Sequence, residues 1–422
     1  TDRPMKVLLI NTSECTGGAA IAASRLMESL DGEGVTVNML VLHKQSHSHK
    51  VVAIGKPLRK KLAFIWERLI IWICNAFSRK NLFTVSIANS GLDVTKHPLF
   101  READVIHLHW INQGLLSLSG IKKVFDSGKP VVWTMHDMWE CTSICHHAHT
   151  CGRFKEECRE CPFLRFPGKN DLANRVFRKK LRLFSGVPVH MVAVSNWLAA
   201  QAQRSKLLQG KRISVIPNTL SLAEFVRMDK EGCRKELSIS QKYVIAFGAA
   251  RIDDPIKGFG MLLDAIRLLV SQKHFSAEEL HLVLFGRIKY PEKILPEIPV
   301  TYSNLGWITD NSMLSMLYSA ADVVVSSSLY ETFGQTLIEA QACGCLPVAF
   351  GNSGQADIIQ HKENGFLAEY KSVESLAEGI GWGLTEGQQS VSKETMRESV
   401  LKRYSGSVVA EQYIALYRNL MK

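Results

Sequence analysis

The chain has 422 residues, 46% hydrophobic and 22% charged, the composition of a globular protein with room for two or three domains. Its formal net charge of +11 points to polyanionic partners. No nucleic-acid-binding module, internal repeat or low-complexity tract occurs, which leaves phosphorylated ligands and an anionic membrane surface.

Residues 7–10 are an apolar run of strand length, with no signal-peptide pattern before it. Asn11, Thr12 and Ser13 form a loop, and Gly17-Gly18-Ala19-Ala20 opens a helix through Leu30. Strand, glycine turn and helix in that order make the first unit of a Rossmann-like sheet, although G-x-G-x-x-G is absent. Taken alone, the glycine pair is a tight turn. Residues 35–42 form the second strand.

Residues 56–80 differ. Phe64, Trp66, Ile70, Trp72 and Phe77 lie in an apolar stretch flanked by Arg59-Lys60-Lys61 and Arg79-Lys80, and Glu67 and Arg68 interrupt it. The stretch is too short to span a bilayer. It reads either as an amphipathic helix lying in the membrane interface or as a helix packed on the core. The second reading requires Trp66 and Trp72 to be inaccessible.

Strands over 103–110 and 131–137 end in His107-Leu108-His109-Trp110 and Thr134-Met135-His136-Asp137. Ligands gather beyond the carboxyl ends of parallel strands, where His109 and His136 both sit. A single strand-end histidine is more often a structural donor. Cys145, Cys151, Cys158 and Cys161 follow, with His146, His147 and His149 among them. Cys158-x-x-Cys161 is half of a zinc site, and Cys145 and Cys151 are the looser half. Disulfides in an oxidising compartment and free buried thiols are the competing readings. Residues 189–195 form a further strand, and the domain boundary lies near residues 218–242.

The strand pattern restarts at 243–248 and leads to Arg251, then to Lys257-Gly258 at the start of a helix. A guanidinium and an ammonium six residues apart suit a diphosphate: arginine grips in bidentate fashion and lysine supplies a point charge. Residues 281–286 and 305–309 read as further strands. Residues 321–325 are another, and Phe333-Gly334-Gln335 is a strand-to-helix turn before the helix 336–342. Such a turn aims backbone N–H groups and a positive dipole end at a phosphate. Glu331 and Glu339 bracket it. A carboxylate there would repel phosphate but accept hydrogen bonds from vicinal hydroxyls, so the pattern reads as a phosphate flanked by sugars. Residues 404–420 are amphipathic.

With Glu331, Phe333-Gly334, Glu339-Ala340, Cys343-Gly344, Pro347 and Asn364-Gly365, the sequence resembles the E-x7-E retaining glycosyltransferases, glycosyltransferase family 4, of bacterial polysaccharide type. The resemblance covers nearly the whole chain and is more specific in the second half. It implies an α/β GT-B fold with two Rossmann-like domains facing across a cleft. Residues 1–220 would be the acceptor side, 221–403 the nucleotide-sugar side, and the helix over 404–422 would pack back on the first domain. Arg251 and Lys257 would then bind the donor diphosphate, together with the helix start at Gly334, Gln335, Thr336 and Leu337. Glu339 would hold the ribose and Glu331 the donor sugar on its reacting face. Gly286 and Ile308 would cradle the base, and Gly17 and Gly18 would lie against the diphosphate and the acceptor. His136 would contact the donor sugar, and His109, Trp110 and Asn112 would line the acceptor side. Retention with the leaving phosphate taking the acceptor's proton leaves no protein nucleophile, so Glu331, His136, Arg251 and Lys257 are the candidate catalytic set.

The implied activity moves a sugar from a UDP- or GDP-sugar to a glycan or lipid-linked acceptor in surface polysaccharide biosynthesis. It would be cytoplasmic, at the inner face of the cell membrane, with no nucleic acid partner and no cofactor required for catalysis. A structural zinc at the four cysteines is the one metal considered; Asp-x-Asp, the mark of metal-dependent GT-A enzymes, is absent. The alternatives are a nucleotide-sugar epimerase of GT-B fold, a phosphorylase, for whose pyridoxal phosphate no motif appears, and a non-catalytic glycan-binding relative. Intact Arg251, Lys257, Glu331 and Glu339 argue against the last.

Overall fold

The apolar runs of the first half become one parallel sheet: β1 (Lys6–Ser13), β2 (Thr36–His43), β3 (Val51–Ala53), β4 (Val105–Leu108), β5 (Val131–Met135), β6 (Val189–Ala193) and β7 (Arg212–Val215). Their spatial order is β3-β2-β1-β4-β5-β6-β7. The second half builds another from β8 (Tyr243–Arg251), β9 (Leu280–Arg287), β10 (Thr301–Asn304), β11 (Val323–Ser326), β12 (Leu346–Phe350) and β13 (Phe366–Ala368), in the order β10-β9-β8-β11-β12-β13. These strands carry near-continuous Val, Ile and Leu because a parallel sheet is covered on both faces. The computed structural model describes residues 3–422. They divide into two units: one runs to Thr219 and takes up Gly406–Lys422 again, and the other is Leu220–Ser405.

In both sheets the order reverses once, between β1 and β4 and between β8 and β11. Ligands of open parallel sheets sit outside the strand ends at that reversal. The helices that matter below are α1 (Gly18–Gly32), α2 (Pro57–Cys74), α3 (Leu172–Phe184), α4 (Phe259–Ser271), α5 (Asn311–Ala320), α6 (Gln335–Ala342) and α7 (Gly406–Leu420). In the first unit α1 and α7 share one core with the sheet, in which Leu26, Leu30, Val409, Tyr413 and Tyr417 join Val7, Leu9 and Met39.

The strand expected over 305–309 lies instead at Thr301–Asn304. It is an edge strand, and its mostly exposed Thr-Tyr-Ser-Asn sequence carries no apolar run to betray it, whereas Leu305 to Thr309 is irregular.

α2 is built inside out. Ala63, Glu67, Arg68 and Ile71 are buried, while Leu58, Leu62, Ile65, Trp66, Leu69 and Ile73 are exposed. The two charges turn inward because partners await them. The Glu67 carboxylate accepts the N–H groups of Ile87 and Ala88 and the Arg68 guanidinium, all at 2.8 Å. Arg68 also donates to the carbonyls of Leu82 at 2.5 Å and Val85 at 2.9 Å. Hydrogen bonds of this kind are what a buried ion pair needs to offset its desolvation. Trp66 is 52% exposed, so the helix is not the fully packed core helix that would hide both tryptophans. Trp72 is half-buried, edge-on to Phe77.

Candidate active site

In the second unit, the loops that leave β8 and β11 are stitched together at the reversal of strand order. The Leu329 N–H donates to Ile256 O at 2.8 Å, and Ser327 Oγ donates to the carbonyls of Lys257 and Gly258 at 3.1 and 3.0 Å. Gly258 has φ +65, and a Cβ there would stand 2.1 Å from Ser327 O, so the approach demands glycine. The stitching sets Lys257 Nζ 2.8 Å from Glu331 Oε2, each side chain about a quarter exposed. Burial pulls the Lys257 pKa down, but the charge and hydrogen bond of Glu331, helped by Asp254, outweigh it, and the net shift is upward. The ammonium stays charged.

Glu331 is fixed from behind. Its N–H donates to Ser353 Oγ at 3.1 Å, and its carbonyl accepts the Gly354 N–H at 2.7 Å. Gln355, fully buried, donates to Ser328 O, Phe350 O and Asn352 Oδ1 and accepts from Ser326 Oγ at 2.9 Å. Sequence reasoning passed over Ser353 and Gln355. Their place beside Gly351 and Gly354 was their only signal.

α6 starts behind Gly334 with no side chain capping it. The Leu337 N–H is taken by Gly334 O at 3.0 Å, and the Leu337 side chain is buried, which leaves Gln335 and Thr336 to present the helix end. Glu339 is almost wholly buried and accepts from the Tyr318 hydroxyl on α5 at 3.2 Å. Burial, then the Glu339 charge, hold that phenol well above its usual range. Arg251 is half exposed and reaches back to Asp253 at 3.4 Å and Asp254 at 3.6 Å rather than joining the Lys257–Glu331 pair. Gly286, at the end of β9, donates its N–H to Gly306 O at 2.6 Å, and a Cβ on it would meet Ala249 O at 1.9 Å. Ile308 lies in the irregular stretch that follows β10.

The first unit repeats the construction. Thr12 Oγ1 donates to Asn112 O at 2.8 Å and the Trp110 N–H to Asn11 Oδ1 at 2.9 Å, which ties the loop after β1 to the loop after β4. Gly17 precedes α1 without a side-chain cap, and Gly18 is its first residue. His109 Nδ1 and His136 Nε2 share a hydrogen bond of 2.9 Å. His107 lies deeper, between Tyr417 Oη and Thr134 Oγ1, both at 2.7 Å. Asp137 accepts Trp110 Nε1–H at 2.8 Å, His146 Nδ1 at 2.7 Å and the Trp139 N–H at 2.7 Å. Burial pushes its carboxyl up, but the charge and hydrogen bond of His146 outweigh it and hold it below the usual carboxylate range. Asp137 and His146 were not among the expected site residues, although Asp137 directly follows His136.

Burial, with a smaller push from His136, lowers the His107 pKa to about 3, and burial lowers that of His136 to about 4, against an ordinary 6.5. Both rings are therefore neutral in the folded protein. As pH falls, the unfolded chain takes up protons first. The stability the neutral rings provide is complete above about 6.5 and is lost progressively toward pH 4. Thermal melts should fall across that window, and less steeply in His136→Gln. A flat profile would mean the rings are not held neutral.

Cys145, Cys151, Cys158 and Cys161 line one cavity of the first unit, and all are free thiols. Among the described residues no helix is long and apolar enough to cross a membrane.

Set beside known proteins, residues 16–224 match the family described as Glycosyltransferase Family 4, and residues 241–386 match Glycosyl transferases group 1. WcaC of Escherichia coli (strain K12), whose name assigns it to colanic acid biosynthesis as a glycosyl transferase, is 25% identical over 99% of this chain and 100% of its own length. A D-inositol 3-phosphate glycosyltransferase of Geodermatophilus obscurus is 25% identical over 66% of this chain and 58% of its own. Among solved structures, sucrose-phosphate synthase from Thermosynechococcus elongatus superposes with TM-score 0.70 at 20% identity, over 99% of both chains. Anabaena Alr3699/HepE, solved in complex with UDP-glucose, gives TM-score 0.64 at 17% identity over 98% of this chain and all of the other. Two parallel Rossmann-like sheets and matches to both halves of one enzyme class agree: the chain belongs to glycosyltransferase family 4 and has the GT-B fold.

Proposed function

We propose that this glycosyltransferase moves a hexose, with retention of configuration, from a UDP- or GDP-sugar to a glycan or lipid-linked acceptor of a surface polysaccharide. The observation that carries the reading is the Lys257–Glu331 pair, set at the reversal of the second sheet near the start of α6. Lys257, Arg251 and the N–H groups that open α6 stabilise the charge that grows on the departing diphosphate. Glu331 accepts from donor-sugar hydroxyls and Glu339 from the ribose. No side chain is needed as nucleophile, because the leaving phosphate takes the acceptor's proton. In the first unit, His109 Nε2 and the Asn112 amide are buried without a hydrogen-bond partner among the described residues. Buried polar atoms seek partners, and the hydroxyls of an acceptor glycan would supply them. Kinship with WcaC supports a polysaccharide, and likeness to a structure holding UDP-glucose supports a uridine donor.

Turnover of nucleotide sugars with and without acceptor separates this reading from an epimerase and from a binding protein. Glu339→Gln keeps an oxygen for the Tyr318 hydroxyl but removes the charge. It should weaken nucleoside diphosphate binding by roughly tenfold or more, the scale of one charged hydrogen bond. Titration calorimetry with UDP and GDP measures this, and an unchanged Kd would end the ribose assignment.

The outward face of α2 supports peripheral binding to a membrane. That face is apolar, and Arg59, Lys61, Arg79 and Lys80 around it are exposed. Apolar side chains beside cations are what the interface of an anionic leaflet recognises. A lipid-linked acceptor lies there.

A further inference from the structure

The segment after β5 runs for more than thirty residues, from His136 to Asp171, with one 3-10 turn, Arg153–Lys155, as its only helix or longer strand. Irregular stretches of that length inside a folded unit are uncommon and need something to hold them. Its four cysteines line a single cavity.

A second, independent observation is Lys180 on α3. It is wholly buried, and its ammonium donates to the carbonyls of Trp139 at 2.5 Å, Thr142 at 3.0 Å and Ser143 at 3.3 Å, 3.3 Å above the Trp139 ring. The buried Glu140 carboxylate is the first of the charges that favour the protonated form of Lys180. The carbonyls Lys180 holds belong to the loop that carries Cys145.

We propose that Cys145, Cys151, Cys158 and Cys161 bind one zinc ion in a closed, structural site. Binding releases a proton from each of the four thiols and leaves a tetrathiolate centre of charge −2. Lys180, behind the loop, and Arg153, a residue of the cavity wall, offset that charge. Among the described residues no three such side chains stand in ligating positions, so the ion itself draws the sulfurs in to about 2.3 Å. The site would anchor the loop bearing His146, which bonds Asp137 and through it orients Trp110. Nothing in the transfer reaction passes through the metal.

The test uses the full chain purified without added metal. Elemental analysis should give about one zinc per chain. Cobalt exchanged into the same protein should show the intense thiolate-to-metal charge-transfer absorption of a tetrahedral sulfur site. Cys158→Ser with Cys161→Ser should lose at least tenfold in metal content, while Cys74→Ser, exposed on α2, should keep it. Should the double variant fail to fold, the cobalt spectrum of the parent still decides. Zinc-free protein with four titratable thiols, or with disulfides among them by mass, overturns the proposal. So does metal retained by the double variant.

Discussion

Lys257→Ala should lower sugar transfer by about a hundredfold or more, the usual effect of removing one preorganised charge from a developing anion. The fold should survive. Among the described residues the ammonium pairs with Glu331, Asp254 adding its charge from nearby, and a quarter-exposed Glu331 can be rehydrated once it is alone. Arg251→Ala should cost at least as much, because it leaves Asp253 and Asp254 facing the diphosphate without their cation. Steady-state kinetics with a melting curve on each variant checks this, and near-parental turnover in either refutes the diphosphate assignment. Lys257 could act only by holding Glu331. In that case Lys257→Ala and Glu331→Gln together would cost no more than the worse of the two, whereas independent roles give a further loss.

Reversing Arg59, Lys61, Arg79 and Lys80 to Glu should abolish binding to anionic vesicles. Each basic residue near an anionic surface contributes roughly 1 kcal/mol, so four lost contacts amount to about three orders of magnitude in partition. Lys60 is left alone because it donates to Leu42 O at 2.6 Å and is part of the fold. Trp66→Ser should weaken vesicle binding without lowering the melting temperature, since half of that ring is already in water. Co-sedimentation with phosphatidylglycerol and with phosphatidylcholine vesicles decides it. Equal binding to both, or full binding by the reversed variant, ends the proposal.

What could be read from the sequence followed from short-range rules. Strands of a parallel sheet are apolar on both faces, so residues 7–10, 243–248 and 321–325 announced themselves. Lys257 and Glu331 each stood out because they lie in loops that follow strands, where ligands of such sheets gather, but the sequence paired Lys257 with Arg251 and gave no sign of its ion pair with Glu331. Glu67 and Arg68 were not legible. They read as interruptions of an apolar run, yet they are the inward face of α2, because their partners are backbone groups of residues 82–88, beyond the reach of any periodicity. The edge strand β10 was missed for a related reason: an exposed strand need not be apolar, and the apolar residues after it took its place. Ser353 and Gln355 act only through the distant loop they hold.

α7 carries a consequence for how the protein comes into being. The core of the first unit contains Val409, Tyr413 and Tyr417, and the Tyr417 hydroxyl is the partner of His107, as the Tyr413 hydroxyl is of Thr134. Synthesis runs from the amino end, so these partners emerge from the ribosome after every residue of the second unit. The half that is made first is thus finished last. Until then Leu26, Leu30 and a buried histidine wait with one side of their core open, and the second unit must fold as an insertion within a half-built neighbour.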